Sequence, residues 1–317
     1  GMYYGEESGL PLYYRIYPGS ISDKTHLKYM VADNEFINGK RTRFVMDRGF
    51  YSRENLQYLT ESGYRFVIAL PDSLKYCREL VSEHGAEIVN HSEFLLGLGL
   101  PYGKSYESMA LGFRMKIHLY YDPEKALRET SALYALLNAQ ENDLKSMEEP
   151  PDKSLHYDKY FYINRSKDGK LGYIRNFKAI DEALKYCGFF LIAETDFKKT
   201  TAEILDIYRC RDTIEKSFDD LKNGLDMKRL HIHTSETAQG KVFVSFLSLI
   251  VRAYLLRQLK DYMRQNGLTL KKILLELDKI KTIQYPGSDE ERLLNPLTKR
   301  QREIYELLEI PVPGCIG

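Results

Sequence analysis

Four polar side chains between residues 208 and 222 carry the clearest chemistry in this 317-residue chain. The stretch reads YRCRDTIEKSFDDLK, and its phenolic and charged residues recur at i, i+3, i+7 and i+14: Tyr208, Arg211, Glu215 and Lys222. On an α-helix these four positions lie on one side. The adjoining side is apolar, as in a helix that packs on a core: Ile214, Phe218, Leu221 and Leu225. The spacing therefore predicts a helix that presents a carboxylate among two cations and a phenol.

A second carboxylate follows a short apolar run. Residues 44–46, Phe-Val-Met, are typical of a strand, Asp47 follows directly, and Gly49 then breaks the pattern. In α/β architectures, ligands bind at the carboxyl ends of strands. The position of Asp47 therefore indicates a functional side chain. The other interpretation is an aspartate that opens a turn or pairs with Arg48.

Two such acids suit a magnesium site. In-line attack on a phosphodiester requires charge to be neutralised on the attacking and leaving oxygens, and two Mg²⁺ ions about 4 Å apart do this in many nucleases. Because Mg²⁺ prefers carboxylates, water and substrate phosphate as ligands, Asp47 and Glu215 are the candidate metal ligands and catalytic acids. The competing interpretation of the polar stripe is a row of surface ion pairs, which stabilise a fold little.

Three stretches resemble bacterial insertion-sequence DDE transposases, which belong to the retroviral-integrase or RNase H-like superfamily. The order Tyr, two residues, Arg, three residues, Glu, six residues, Lys is similar to the YREK signature of that family. The segment 42–70, TRFVMDRGFYSRENLQYLTESGYRFVIAL, resembles its second-aspartate block. The segment 9–23, GLPLYYRIYPGSISD, resembles the block before it. Together the similarity covers residues 9 to about 70 and about 187 to 256.

This resemblance implies roles for the residues singled out above. Asp47 would be the second aspartate of a catalytic triad and Glu215 its final acid, and both would bind Mg²⁺ or Mn²⁺. Tyr208, Arg211 and Lys222 would bind DNA beside the scissile phosphate. The implied partners are double-stranded transposon ends and target DNA, and the implied reaction is hydrolysis at those ends followed by strand transfer. The resemblance implies a cytoplasmic, nucleoid-associated bacterial protein without a membrane partner, and it is compatible with a homodimer.

One part of the family pattern is missing. In this family the first aspartate lies on the first strand of the RNase H-like sheet, upstream of the block that begins here at Gly9. Asp23 and Asp33 do not occupy an equivalent position. We therefore expect an N-terminally truncated chain that binds metal weakly and lacks strand transfer. Two alternatives stay open: a non-catalytic remnant that binds DNA or oligomerises, and a simple nuclease that recruits a substitute acid.

The elements that position these residues indicate an α/β fold, with an RNase H-like core of mixed sheet flanked by helices. We expect the first part of the core at 1–70, a β-rich insertion at 71–186, the second part of the core at 187–260, and a helical tail at 261–317. Ser52 and Thr200 or Thr201 are typical helix caps. The run 242–259 is apolar nearly all round, which predicts a helix buried in the core.

Composition limits the alternatives. The net charge of +1 is low for a protein that neutralises many phosphates. Residues 241–281, however, carry nine Lys or Arg against three Asp or Glu, so we expect any nucleic-acid contact near the C-terminal end, with a merely solvated helix face as the alternative. The four cysteines are scattered, and His231 and His233 lack a nearby third ligand, which argues against a zinc site.

Overall fold

The computed structural model of the chain describes residues 2–5, 8–17, 23–36, 42–99, 101–152, 155–165, 171–210, 234–284, 292–294 and 296–312. These residues form ten α-helices and eleven strands. The chain divides into two compact units. We call Gly19–Arg211 the central unit, and we call Gly1–Pro18 together with Asp212–Gly317 the terminal unit.

A five-stranded mixed sheet organises the central unit. Its strands are β3 (Arg43–Met46), β4 (Arg65–Ala69), β5 (Tyr102–Ser108), β6 (Met115–Tyr121) and β9 (Phe189–Glu194). Their order across the sheet is β3-β4-β9-β6-β5, with β3 and β4 parallel and all other neighbours antiparallel. Helices flank this sheet, so the predicted α/β fold class is confirmed. Strands β5 and β6, which come from the region expected to be an insertion, belong to the same sheet as β3 and β4.

Within the described residues, the central unit has six α-helices. They are α1 (Asp23–Phe36), α2 (Arg53–Glu61), α3 (Lys75–Ile88), α4 (Pro123–Ser146), α5 (Phe177–Lys185) and α6 (Thr201–Arg209). Helix α3 and strand β5 were not expected from the sequence. A hairpin of β7 (Phe161–Arg165) and β8 (Leu171–Arg175) packs with α4 and α5 around a small separate core. Its buried residues are Leu137, Leu144, Tyr157, Tyr160, Phe161 and Ile180.

Short-range features of the sequence determine the β3–α2–β4 segment. Ser52 caps α2 by accepting the backbone N–H of Asn55 at 3.1 Å, as the sequence predicts. Leu56 and Leu59 are fully buried on one side of this helix. The helix ends before Gly63, whose φ of +76° is the left-handed conformation that glycine adopts without strain. The crossover then returns the chain to β4, parallel to β3.

Different helices pack on the two faces of the sheet. On one face, Val67, Tyr120 and Ile192 pack in a buried cluster against α6. On the other face, α3 approaches β9 closely at Gly85, where a Cβ atom would lie only 2.9 Å from the Phe189 ring. Helix α6 and helix α3 therefore cover opposite sides of the same strands.

In its described residues, the terminal unit has a hairpin, four helices and a second short hairpin. Its elements are β1 (Met2–Tyr4), β2 (Pro11–Tyr14), α7 (Ser235–Gln258), α8 (Lys260–Asn266), α9 (Leu270–Leu277), β10 (Thr282–Gln284), β11 (Arg292–Leu294) and α10 (Lys299–Leu307). The first hairpin contacts α7 through the rings of Tyr14 and Phe246, whose centroids are 4.7 Å apart. The last three helices and the end of α7 share a buried cluster: Leu259, Leu270, Ile273, Ile304 and Leu308.

Helix α7 is not the buried core helix that its composition predicts. Only 17% of its most apolar 18-residue window is buried, and Phe243, Val244, Leu247 and Val251 are exposed. Burial is confined to a narrow stripe that includes Ser245 and Leu249. The segment Glu236–Gln258, with a mean hydropathy of 1.4, is also long and apolar enough to cross a membrane, by length and composition only. A single helix of this kind is a weak signal, because helices of soluble proteins can be as long and as apolar.

Candidate active site

Asp47 lies directly after the last residue of β3. Its backbone is extended, with φ −73° and ψ 160°, and a 3₁₀ turn over Arg48–Phe50 follows it. Because side chains alternate along extended backbone, Asp47 is on the same face as Val45, two residues earlier. Val45 packs in the cluster beneath α6. The predicted strand-terminal position of Asp47 is thus present, and this carboxylate is on the face that α6 covers.

The turn after Asp47 is held by buried polar contacts. Asn55 is 3% exposed, and its amide nitrogen donates to the carbonyl oxygens of Phe50 at 3.0 Å and Lys24 at 2.8 Å. The Tyr51 hydroxyl is 3.1 Å from the hydroxyl of Tyr76 on α3, and burial raises the pKa of both phenols. Hydrogen-bonded buried groups of this kind fix backbone geometry. The segment that follows Asp47 is therefore tied to α1 and α3.

Helix α6 begins with a complete capping box. The Thr200 hydroxyl accepts the Glu203 N–H at 3.2 Å, and the Glu203 carboxylate accepts the Thr200 N–H at 2.8 Å. Hydrogen bonds from the Thr200 backbone and from Lys199 lower the pKa of Glu203 to about 2. Thr200, one of the two predicted caps, is the residue that performs this role.

The course of α6 brings Tyr208 toward β3. The helix starts above β6 and β5, where Thr201 receives a hydrogen bond from Tyr120 and contacts Gly103. Seven residues later, Tyr208 packs in the same cluster as Val45 of β3. Helix α6 therefore crosses the sheet, and its C-terminal end lies at the strand that Asp47 follows.

Only part of the predicted site lies within the described residues. Asp47 and Tyr208 do. Asp47 directly follows β3, and Tyr208 packs against the same cluster as Val45 of β3. Arg211, Glu215 and Lys222 lie outside the described residues, so their predicted roles stay predictions. Among the residues that the structure describes, no three His, Cys, Asp or Glu side chains form a metal-binding group.

Sequence reasoning missed a buried polar pair on the same face of the sheet. His118 of β6 and Glu194 at the end of β9 are both fully buried, and Nε2 of His118 is 3.7 Å from Oε1 of Glu194. The Glu194 carboxylate also accepts backbone N–H groups of Asp196 and Phe197. Single polar residues inside the apolar runs MKIHLYY and GFFLIAE were the available signal.

Acid is expected to weaken the fold through Glu194. Burial raises the pKa of Glu194, but the nearby His118 ring and hydrogen bonds from the two backbone N–H groups outweigh burial and leave this pKa below its ordinary value. A carboxyl whose pKa is lower in the folded state stabilises the fold above its unfolded-state pKa, and this contribution is lost as the pH falls through the folded-state pKa. We expect Glu194→Gln to lower the free energy of unfolding by about 1–3 kcal/mol at pH 7, because a charged acceptor is replaced by a neutral one.

Urea unfolding of parent and Glu194→Gln at pH 7 and at pH 3 measures this effect. The difference between the two proteins should shrink at the lower pH, where the parent also loses the charge. Glu107→Gln is the matched control, since Glu107 is an exposed carboxylate in a surface pair with Arg114. An equal difference between parent and Glu194→Gln at both pH values would contradict the assignment.

Comparison with known proteins identifies the family. The family model described as transposase DDE domain matches residues 2–251. Comparisons with curated proteins and with solved structures gave no significant match. The matched region includes the whole five-stranded sheet, Asp47 and α6, whereas α8 to α10 lie beyond it. Since the match spans well over half of the chain, this protein belongs to the DDE transposase domain family.

Proposed function

We propose that Asp47 and Glu215 are two acids of the DDE metal site, and that this site cleaves DNA at the ends of an insertion sequence. One observation carries the proposal: α6 crosses the sheet toward β3, so that Tyr208 and Val45 pack against the same buried cluster, on the face of the sheet where Asp47 follows β3. Glu215 comes seven residues after Tyr208 in the sequence. Family membership supports DNA transposition as the general activity.

Each proposed residue has a distinct role. Asp47 and Glu215 offer the hard carboxylate oxygens that Mg²⁺ and Mn²⁺ prefer. When bound, the metal neutralises charge on the attacking and leaving oxygens of the phosphodiester. The Tyr208 hydroxyl and the Arg211 and Lys222 cations are donors of the kinds that bind phosphate oxygens and position DNA. In this proposal these three residues and Glu215 together form the YREK signature.

We further propose that the metal is bound weakly and that strand transfer is absent. A DDE site uses three acids, and the sequence offers candidates for two of them, Asp47 and Glu215. Two carboxylates leave more of the metal coordination to water and DNA phosphate, which lowers affinity in the absence of DNA. The same observation favours the second candidate, a protein that binds DNA without cleaving it.

The proposed partner is duplex DNA at the transposon ends and at the target, and two copies of the chain could act on the two ends. Within the described residues, Lys271 and Lys272 of α9 are exposed cations without a carboxylate partner. They belong to the cation-rich segment 241–281. The proposed location is the bacterial cytoplasm, where such DNA is found.

A cleavage assay on labelled duplex DNA tests the proposal. The parent, Asp47→Ala and Glu215→Ala are incubated with Mg²⁺ or Mn²⁺, and strand nicking and strand transfer are measured separately. We expect nicking by the parent to be slow and to be lost in both variants, with no transfer product. Equal background in all three proteins would remove the nuclease assignment, and salt-sensitive binding without nicking would favour the non-catalytic alternative.

A further inference from the structure

The first turn of α6 is attached to strand β6 by two buried side chains. The Tyr120 hydroxyl donates to the carbonyl oxygen of Thr201 at 2.8 Å. Nδ1 of His118 is 3.2 Å from the Thr201 hydroxyl. Both rings are fully buried, so water does not compete for these contacts. Strand β5 adds a close contact, because a Cβ atom at Gly103 would lie 2.9 Å from the Thr201 methyl group.

The connection from β9 to α6 is held by the same part of the sheet. Glu194 binds the backbone N–H groups of Asp196 and Phe197, and Lys116 of β6 donates to the Phe197 carbonyl oxygen at 3.0 Å. Phe197 has a φ of +58°, a left-handed conformation that a non-glycine residue adopts only when its surroundings hold it there. The loop before α6 is therefore fixed as firmly as its first turn.

A helix held at one end transmits small tilts to the other end. Thr201 and Tyr208 are seven residues apart, so about 10 Å of helix separates them. A tilt of about 10° at the first turn would displace Tyr208 by about 2 Å relative to β3. Displacements of this size are enough to spoil the geometry of a site that binds metal and phosphate.

We infer that His118 and Tyr120 are positioning residues that set where the C-terminal end of α6 lies relative to the turn after Asp47. Neither side chain reaches that turn. Both act through Thr201, and Glu194 lies beside His118 on the same face of the sheet. Their importance for catalysis rests on the proposed function, whereas their control of the position of α6 is a property of the fold alone. On this inference, a strand from the region expected to be an insertion aligns the helix that carries the signature tyrosine.

Distance measurements between two spin labels test the inference directly. One label is attached to Cys210, an exposed thiol just after α6, and the other to an Arg48→Cys substitution in the turn after Asp47. Cys187 and Cys315 are replaced by serine. Cys77 stays unlabelled because it is buried and burial raises the pKa of its thiol to about 12. Pulsed electron paramagnetic resonance then gives the distance distribution.

The variants separate positioning from general destabilisation. The double variant Thr201→Val and Tyr120→Phe removes the Thr201 and Tyr120 hydroxyl groups with little change in volume. The separate single variant Thr201→Ser keeps a hydroxyl at position 201. Thr60→Val is the matched control, because it removes a threonine hydroxyl that donates to the Leu56 carbonyl oxygen on α2. We expect the double variant to shift the mean distance by about 2 Å or to broaden the distribution. Thr201→Ser and Thr60→Val should leave the distribution as in the parent.

The outcomes distinguish this inference from the proposed function. An unchanged distribution in the folded double variant would overturn the positioning role, whatever the metal chemistry. A shifted distribution in the double variant, with normal Thr201→Ser and Thr60→Val, would support that role. Mn²⁺ binding measured on the same samples reports on the proposed function separately, because Asp47 is intact in all of them. A shift accompanied by no Mn²⁺ binding in any sample would remove the metal site and keep the positioning role.

Discussion

Changing Asp47 to asparagine is expected to abolish Mn²⁺ binding by this chain. The amide has nearly the same shape as the carboxylate but lacks the negative charge with which a carboxylate binds Mg²⁺ or Mn²⁺. Loss of a residue that only hydrogen-bonds to a metal ligand weakens metal binding by about 10–100-fold, so the loss of the ligand itself should exceed that range.

The electron paramagnetic resonance signal of free aqueous Mn²⁺ measures this binding, with and without duplex DNA. Asp72→Asn provides the control, because Asp72 is an exposed acid that follows the neighbouring strand β4. Retention of binding in Asp72→Asn and its loss in Asp47→Asn would assign the metal to Asp47. Equal binding by the parent and by Asp47→Asn would refute the proposed site.

Replacing Gly188 by alanine is expected to cost about 2–4 kcal/mol of unfolding free energy in the central unit. Gly188 precedes β9 with a φ of +88°, and a left-handed residue with a side chain costs about 1 kcal/mol. A Cβ atom there would lie 2.6 Å from that of Ala126 and 2.8 Å from the Tyr121 ring. Overpacking of this kind adds about 1–3 kcal/mol. Because β9 leads to Glu194 and α6, the change also disturbs the elements that place Tyr208.

The control for this effect is Gly63→Ala. Gly63 has a φ of +76°, but nothing lies within 4 Å of the position where its Cβ atom would be. It therefore carries the backbone cost without the clash, and we expect a loss of about 1 kcal/mol. Urea unfolding followed by circular dichroism gives both values. Similar losses in the two variants would show that α4 and β6 move aside for the added methyl group.

The parts of the fold that were predictable have local causes. The cap at Ser52, the left-handed Gly63 and the apolar run before Asp47 all act within a few residues, and the β3–α2–β4 segment follows from them. Strand β5 was missed because its sequence, YGKSYES, is polar, and its pairing with β6 determines its structure. For helix α7 the prediction failed in the opposite direction, because its apolar composition predicted burial and several of its apolar side chains are exposed. Composition does not reveal which sides of a helix pack against another element.

The candidate site was predictable to a similar extent. Asp47 could be placed from its strand and the turn after it, which are both local features. His118 and Glu194 could not, since a single polar residue in an apolar strand acquires a role only from the side chains that face it. Those side chains come from strands far apart in the sequence, and no periodicity within either strand reports their pairing.

The position of β9 in the middle of the sheet has a consequence for synthesis of the protein. Phe66 of β4 and Thr195, just after β9, are hydrogen-bonded although 129 positions separate them. During synthesis, β4 and β6 therefore leave the ribosome before β9, and the edges that pair with β9 stay unpaired until β9 follows. Such edges are sites of mispairing and aggregation. The speed of translation beyond residue 121, or a chaperone that covers the two nascent strands, would thus affect the yield of folded protein.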